Sequence, residues 1–151
     1  MTLEKPDTSY YTIGYSKRTL DEFLYALSSR GIATLVDVRN APVSRHRPQF
    51  SKRNLQQALQ AQGIAYVHMP SLGIPKPIRT QLATTSDHEE LLSWYDENVI
   101  PNLVESLRSY ISDKEGLPVA FMCMEEDPAQ CHRSRIAAAL NRMGLACEEI
   151  Q

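Results

Sequence analysis

Short apolar runs alternate along the chain with longer stretches in which apolar residues recur every three or four positions. Apolar runs of about four to eight residues are typical of buried strands, whereas the longer spacing is typical of helices that cover a core with one face. The strand-like runs are residues 10–16, 33–39, 65–70, 117–124 and 145–150. The run at 117–124 is apolar at nearly every position, which predicts a central strand covered on both faces.

Capping signals mark the ends of the helices. A Ser, Thr or Asp followed three residues later by Glu or Gln has the spacing of a capping box, and a glycine just past the apolar pattern ends a helix. Proline fits the first helical position but breaks a helix interior. These signals predict helices from Thr19, with Glu22, to Gly31; from Ser51 to Gln62, closed by Gly63; from a box of Ser86 and Glu89 through a break near Pro101; and from Asp127, with Pro128 and Gln130, to Gly144.

The regular alternation of strands and helices predicts the fold class. We expect one doubly wound α/β domain over residues 10–151, with a mostly parallel five-stranded sheet and helices on both faces. Residues 1–9 are expected to form a loose tail. Right-handed crossovers leave few strand orders, of which 3-2-1-4-5 is the simplest. If the first strand pairs with the one at 117–124, the ends of the first, second and fourth strands share one crevice, where such sheets bind ligands.

Composition limits the kinds of partner. The 151-residue chain has 16 Lys and Arg against 18 Asp and Glu, a net charge of −2, so it has no overall field that would attract nucleic acid or a membrane. It has neither a signal-peptide pattern nor an apolar stretch of roughly 20 residues, which predicts a cytoplasmic protein without a membrane partner. Its cysteines, Cys123, Cys131 and Cys147, lack the spacing of a disulfide framework or a metal site, and free thiols, no metal and no cofactor are expected.

Polar residues cluster at the predicted strand ends. The first strand ends at Ser16, the second at Asp37 and Arg39, and the fourth runs into Glu125. Carboxylates in a partly dry crevice have pKa values that burial and neighbouring arginines push apart, which suits proton transfer. We therefore predict Asp37 and Glu125 as catalytic residues, and Ser16 and Arg39 as substrate-binding residues. The alternative for Asp37 is a structural role as a partner of Ser16 or of backbone N–H groups.

The motif Cys131-His132-Arg133 lies just inside the predicted start of the last helix. A helical wheel places His132 and Arg133 on the inward side, where an arginine beside a helix N-terminus suits a phosphate or carboxylate. Both are predicted to bind substrate; the alternative is that Arg133 pairs with Glu125 or Asp37 and ties strand ends together. Cys131 is a candidate nucleophile because a helix dipole lowers a thiol pKa. The spacing C-x-R lacks the anion cradle of cysteine phosphatases, however, so an inert thiol is the alternative.

Residues 39–53 form a basic loop after the second strand and contain no acidic residue. At the binding edge of the sheet such a loop suits a small anionic ligand or a nucleic acid, and Phe50 offers a stacking face. Arg45 is predicted to bind substrate. The alternative is a solvated loop balanced by acids elsewhere in the chain. Its positive charges belong to Arg39, Arg45, Arg47, Lys52 and Arg53.

Several stretches of the chain resemble the bacterial and archaeal domain of unknown function 488 family. They are TIGYS, LVDVRNAPVSR followed by PQFSK, GIAYVHMPSLG, and FMCMEEDPAQCHRSRIAAAL. The resemblance extends from Tyr11 to Leu140 and implies a compact α/β domain, without a settled reaction. The family motifs fall on Gly14 and Ser16; on Asp37, Arg39, Pro42 and Ser44; and on Cys123, Glu125, Asp127, Pro128, Cys131, His132 and Arg133.

These observations predict an enzyme that acts on a phosphorylated or otherwise anionic, nucleotide-like substrate. The alternative is a non-catalytic nucleic-acid or nucleotide-binding module that uses residues 39–53. A third interpretation is a structural protein whose crevice is a knot of ion pairs, against which stands the desolvation cost of gathering charges without a ligand. A salt titration distinguishes the enzyme from the nucleic-acid-binding module, because binding to many phosphates weakens steeply with salt concentration.

Overall fold

One parallel sheet of five strands organises the fold. The computed structural model describes residues 10–82, 89–103, 105, 107, 118–123 and 132–150. Every strand pairing in the sheet is parallel, which confirms the predicted α/β class. The strands are β1 (Tyr10–Gly14), β2 (Thr34–Asp37), β3 (Ala65–His68), β4 (Val119–Cys123) and β5 (Cys147–Glu149), in the order β3-β2-β4-β1-β5.

The helices follow the strands in sequence, as the pattern predicts. They are α1 (Leu20–Ser28), α2 (Lys52–Ala61), α3 (Lys76–Leu82), α4 (Glu89–Asn98) and α5 (Arg133–Arg142). Two single 3₁₀ turns, Pro48–Phe50 and Pro70–Leu72, lie in the loops after β2 and β3. The sequence does not predict α3, which contains a proline; Pro77 is its second residue, where a missing N–H group breaks no helical hydrogen bond. No helix among the described residues is long and apolar enough to cross a membrane.

Local capping chemistry sets the start of α1. The Thr19 hydroxyl accepts the Glu22 N–H at 3.0 Å, and the Glu22 carboxylate accepts the Thr19 N–H at 2.8 Å, so the predicted capping box is confirmed. Gly31, with a φ of 67°, ends this helix in the left-handed region. The predicted interruption near Pro101 is also found, since α4 ends at Asn98 and residues 100–103 are again helical.

The starts of the last two helices are described less fully. Their predicted cap residues Ser86, Asp127, Pro128 and Gln130 lie outside the described residues. As described, α5 begins at Arg133, and His132 occupies its N-cap position.

Two apolar layers cover the sheet. On one face, Phe23 and Leu27 of α1 and Leu55 and Leu59 of α2 pack in one buried cluster with Leu35. On the opposite face, α4 and α5 contribute Leu91, Tyr95, Ile136 and Leu140 to a second buried cluster. Helices therefore cover both faces, as the doubly wound prediction requires.

The predicted strand order is wrong in one position. β4 lies between β2 and β1, where the simplest order placed it on the far side of β1. Both positions put β4 beside β1 and bury it on both faces, so the apolar pattern of this strand is equally compatible with either. The observed order places the carboxyl end of β4 between those of β1 and β2.

Candidate functional site

The carboxyl ends of four strands form one level edge. In the pairing register Gly14 of β1 lies opposite Cys123 of β4, and Asp37 of β2 lies opposite both Met122 and His68. The expectation that the ends of the first, second and fourth strands meet is therefore confirmed. The helices that follow β1 and β2 pack on one face, and the one that follows β4 packs on the other, which is the arrangement in which open α/β sheets bind ligands.

The carboxylate of Asp37 lies at the centre of this edge and accepts four hydrogen bonds. Asp37 is fully buried, and its Oδ1 accepts from the Arg39 backbone N–H at 3.1 Å and from Arg39 Nε at 2.9 Å. Its Oδ2 accepts from Arg39 Nη2 at 2.7 Å and from the Tyr66 hydroxyl at 2.6 Å. Arg39 is 8% exposed and also donates to the Tyr15 hydroxyl at 3.2 Å. The pair is thus a bidentate ion pair shielded from water.

Two donors of this network, Arg39 and Tyr66, have raised pKa values. Burial alone would lower the pKa of Arg39, but its hydrogen bonds to Asp37 and the charge of that carboxylate outweigh burial and leave the pKa raised. Burial, followed by the hydrogen bond to Asp37, raises the pKa of Tyr66. All four described donors to Asp37 therefore keep their protons at neutral pH.

Asp37 and Arg39 both lie at the carboxyl edge of the sheet, where the crevice is predicted, but they are bound to each other. The contacts favour a positioning role, since the Asp37 carboxylate already accepts four hydrogen bonds and the Arg39 charge already has a partner. The catalytic role predicted for Asp37 and the anion-binding role predicted for Arg39 stay predictions. Structural pairing was the alternative for Asp37; its partner is Arg39, two residues away on the same chain segment.

Arg133 is buried on the inward side of α5, as the helical wheel predicts. Its side chain is 0% exposed and donates from Nε and Nη2 to the two carboxylate oxygens of Glu149, at 3.1 and 2.8 Å. Its Nη1 lies 3.3 Å from Cys123 Sγ, and Glu149 also accepts from the Thr12 hydroxyl. Glu149 neutralises the Arg133 guanidinium, which weakens its predicted role as the anion-binding arginine.

Sequence reasoning did not consider Glu149 as a partner. The residues weighed for Arg133 were Glu125 and Asp37, but Asp37 pairs with Arg39 and Glu125 lies outside the described residues. The alternation of side chains along β5 was the available signal, because it leaves Glu148 exposed and Glu149 half-buried. Cys131, the candidate nucleophile, also lies outside the described residues.

The cysteines differ from one another. The expectation of free thiols is wrong for Cys123, which is disulfide-bonded, and correct for Cys147. Burial, and then the charges of Glu149 and Glu148, raise the pKa of the Cys147 thiol to about 12. Cys147 is therefore a protonated thiol at neutral pH, unsuited to nucleophilic attack.

His132 joins the start of α5 to the loop after β2. Its Nε2 lies 3.3 Å from the carbonyl oxygen of Val38, and its ring packs 4.9 Å from that of Tyr95. Burial lowers its pKa to about 4, against the raising effect of the Val38 hydrogen bond and with a further lowering by Arg79 and Arg133. His132 is therefore neutral at pH 7, so any contact with an anionic substrate would be a hydrogen bond without a charge.

The lowered pKa of His132 predicts a loss of stability in mild acid. The imidazole has its ordinary pKa of 6.5 in the unfolded chain and about 4 in the folded one, so its contribution is complete above pH 6.5 and lost as the pH falls towards 4. We expect the free energy of unfolding to fall by at most about 3 kcal/mol over this interval. Urea denaturation between pH 4 and 7.5 measures it. The free energy of unfolding should depend less on pH in His132→Gln than in the parent, and as much as in the parent in His46→Gln, where the histidine is exposed. Equal pH dependence in the parent and both variants would contradict the prediction.

A second histidine holds the same segment. His68, at the end of β3, places Nε2 2.7 Å from the carbonyl oxygen of Arg39. Gly73 packs so closely against this segment that a Cβ atom there would lie 2.3 Å from the Asn40 nitrogen. The segment that begins at Val38 is therefore held by contacts from His132, His68 and Gly73, which makes this edge of the sheet rigid.

The basic loop contains one arginine that reaches the end of β1. Arg47 is half-buried and donates from Nη1 to the carbonyl oxygens of Tyr15 and Ser16, at 2.5 and 2.8 Å. Its guanidinium lies 4.7 Å from the ring of Phe50, which stacks on Tyr15 at 4.5 Å. Phe50 is 0% exposed, so the interpretation of this ring as a stacking face for a ligand is wrong. Arg45, the residue predicted to bind substrate, is exposed.

Arg47 differs from the other two arginines of the site in its partners. Arg39 and Arg133 each pair with a carboxylate, whereas Arg47 makes no ion pair within the described part of the chain. In the sequence, Arg47 is one of several positive charges in a basic loop. No local signal distinguishes it, because its hydrogen-bond partners just after β1 are 31 and 32 positions away in the chain.

One family model matches most of the chain. The family model described as "Domain of unknown function DUF488" matches residues 19–140, which span most of the chain and include β2, β3, β4 and the Cys-His-Arg motif. Neither the curated proteins nor the solved structures contain a match. Since the match covers far more than half of the sequence, the chain belongs to the DUF488 family of domains of unknown function.

Proposed function

We propose that the protein is an enzyme that acts on a phosphorylated or otherwise anionic, nucleotide-like small molecule at the carboxyl edge of its sheet. The observation that carries the proposal is the position of Arg47. Its guanidinium lies half-buried at the end of β1, held by the carbonyl oxygens of Tyr15 and Ser16 and without a carboxylate partner among the described residues. A partly desolvated charge of this kind gains free energy from a bound anion.

The charge distribution along the chain supports the same location. Although the net charge is −2, the sequence from Val38 to Leu82 contains no Asp or Glu. This segment supplies the loops after β2 and β3 at the carboxyl edge, so the local potential there is positive. The acidic residues Glu125, Glu126 and Asp127 follow β4 in the sequence and supply the carboxylates that a proton-transfer reaction needs. The positive charges of the segment belong to Arg39, Arg45, Arg47, Lys52, Arg53, Lys76 and Arg79.

The rigidity of the crevice supports catalysis over simple binding. A buried ion pair of Asp37 and Arg39 costs desolvation that apolar side chains of similar volume would avoid. Tyr66, His68 and His132 add hydrogen bonds that hold this pair and the adjoining backbone in place. Enzymes hold their reacting groups in this way, with surrounding side chains that orient them.

Substitution of Arg47 tests the proposal. Because a charge-assisted hydrogen bond contributes about 1.5–3 kcal/mol, Arg47→Gln should weaken the binding of inorganic phosphate, pyrophosphate or AMP by about 10- to 100-fold. Arg47→Lys should retain part of the affinity. Isothermal titration calorimetry gives the dissociation constants, and melting temperatures show whether each variant is folded.

Arg30→Gln is the matched control. Arg30 is exposed at the end of α1, at the opposite edge of the sheet, and should leave binding unchanged. If Arg47→Gln and Arg30→Gln bind these anions as the parent does, the anion site lies elsewhere. If the parent binds these anions but releases phosphate from no phosphorylated substrate in a phosphate-release assay, the protein is a non-catalytic binding module and the enzyme proposal is wrong.

A further inference from the structure

Four exposed basic side chains lie around the start of α2. They are Arg45 and His46 in the loop after β2, and Lys52 and Arg53 in the first turn of α2, and we call them the basic surface. None of them makes an ion pair with a described residue. By contrast, Arg135 on α5, which is also partly exposed, lies 3.6 Å from Asp96.

Hydrogen bonds hold the two parts of the basic surface side by side. The Ser44 N–H donates to the Ser51 hydroxyl at 2.9 Å, and the Lys52 N–H donates to the carbonyl oxygen of Pro42 at 2.9 Å. These contacts close the loop from Pro42 to Ser51 on itself. The loop that carries Arg45 and His46 is therefore tethered next to the first turn of α2, which carries Lys52 and Arg53.

The placement of Lys52 and Arg53 works against helix stability. The helix dipole favours acidic residues in the first turn, and α1 and α4 follow this rule with Asp21 and Glu22, and with Glu89 and Glu90. The first turn of α2 has no acidic residue. The charges of Lys52 and Arg53 therefore interact unfavourably with the dipole, a cost that a bound polyanion would remove.

We propose that the basic surface binds the sugar–phosphate backbone of a nucleic acid without sequence specificity. Several cations side by side match phosphates spaced along a chain, and the aromatic ring in this segment, Phe50, is buried and does not offer a face on which bases stack. Val43, at 64% exposure, is the one large exposed hydrophobic residue of this loop, which is too little apolar surface for membrane anchoring. The proposal does not depend on the Arg47 site.

Fluorescence anisotropy with labelled 20-nucleotide oligo(dT) and oligo(U) measures this interaction on the full chain. If Arg45, Lys52 and Arg53 each neutralise one phosphate, log K should fall with log salt concentration with a slope of about −2 for single strands. Each contact adds about 0.7 to this slope, so Lys52→Gln with Arg53→Gln should reduce it to about −0.7 and weaken binding about 25-fold at 0.1 M salt. Arg30→Gln, at an exposed position outside both sites, should bind these oligonucleotides as the parent does.

Charge reversal separates binding from stability. Lys52→Glu with Arg53→Glu should abolish binding while raising the melting temperature by about 1–4 °C, because acids at these positions suit the helix dipole. The control, Arg30→Glu with Arg142→Glu, makes the same change in net charge at exposed positions elsewhere and should bind within about threefold of the parent.

Two outcomes would overturn the proposal. One is equal affinity and salt slope in the parent and in the Lys52→Gln, Arg53→Gln variant. The other is tighter binding of the parent to vesicles of anionic phospholipid than to either oligonucleotide, which would assign the surface to membranes. If charge reversal lowers the melting temperature, the proposal is judged by the salt dependence of oligonucleotide binding to the Lys52→Gln, Arg53→Gln variant.

Discussion

Replacing Asp37 with Ala will destabilise the protein by about 3–5 kcal/mol, the usual cost of removing one partner of a buried ion pair. The substitution leaves the guanidinium of Arg39, which is 8% exposed, without its carboxylate. It also removes the acceptor of the Tyr66 hydroxyl, which is 2.6 Å from Asp37 Oδ2. Urea denaturation at pH 7 measures the loss, and Asp21→Ala on the exposed side of α1 provides the control.

A second substitution identifies why Asp37→Ala loses stability. Adding Arg39→Met to Asp37→Ala removes the uncompensated charge while keeping most of the volume of the side chain, so part of the lost stability should return. If Arg39→Met adds a further loss of its own, the effect of Asp37→Ala comes from packing. A loss below about 1 kcal/mol for Asp37→Ala would show that water reaches this pair.

Arg133→Met will also lower the free energy of unfolding by about 3–5 kcal/mol, because it leaves the partly buried Glu149 carboxylate without its ion-pair partner. Glu149 is 18% exposed and receives both Nε and Nη2 of Arg133, so the lost contact is bidentate. Methionine fills the space of the arginine stem, which limits the contribution of a cavity. Chemical denaturation measures the change.

The same helix offers a matched control for Arg133. Arg135 pairs with Asp96 at 3.6 Å, but these side chains are 36% and 44% exposed, so Arg135→Met should cost less than about 1 kcal/mol. Arg133→Met combined with Glu149→Gln should recover part of the stability. Equal effects of Arg133→Met and Arg135→Met would show that burial does not strengthen the pair with Glu149.

These two predictions change how a loss of function at Arg133 is understood. From the sequence alone, Arg133→Ala is expected to abolish ligand binding directly. In the structure its guanidinium is bound to Glu149 and lies against Cys123, so unfolding is a sufficient cause. Binding therefore has to be measured on the folded fraction of each variant, with the melting temperature as the guide.

Signals within one turn or one strand determined much of the fold. The capping box of Thr19 and Glu22 depends on residues three positions apart, and the apolar run of β4 depends on a stretch of about eight residues. Both were predictable because their physical causes are local. The alternation of strands and helices then restricts the chain to a parallel sheet, and the ends of β1, β2 and β4 to one edge, where the sequence placed Ser16, Asp37 and Arg39.

The tertiary structure alone decided which charges neutralise each other. Several acids were compatible in sign with Arg133, but only the packing of α5 against β5 brings it to Glu149, 16 positions away. Arg47 reaches the end of β1 through a loop whose path no local pattern specifies. The position of β4 between β2 and β1 was undetermined for the same reason, since an apolar strand suits any central place. Composition specifies the number and sign of charges, whereas their roles depend on distances between segments remote in sequence.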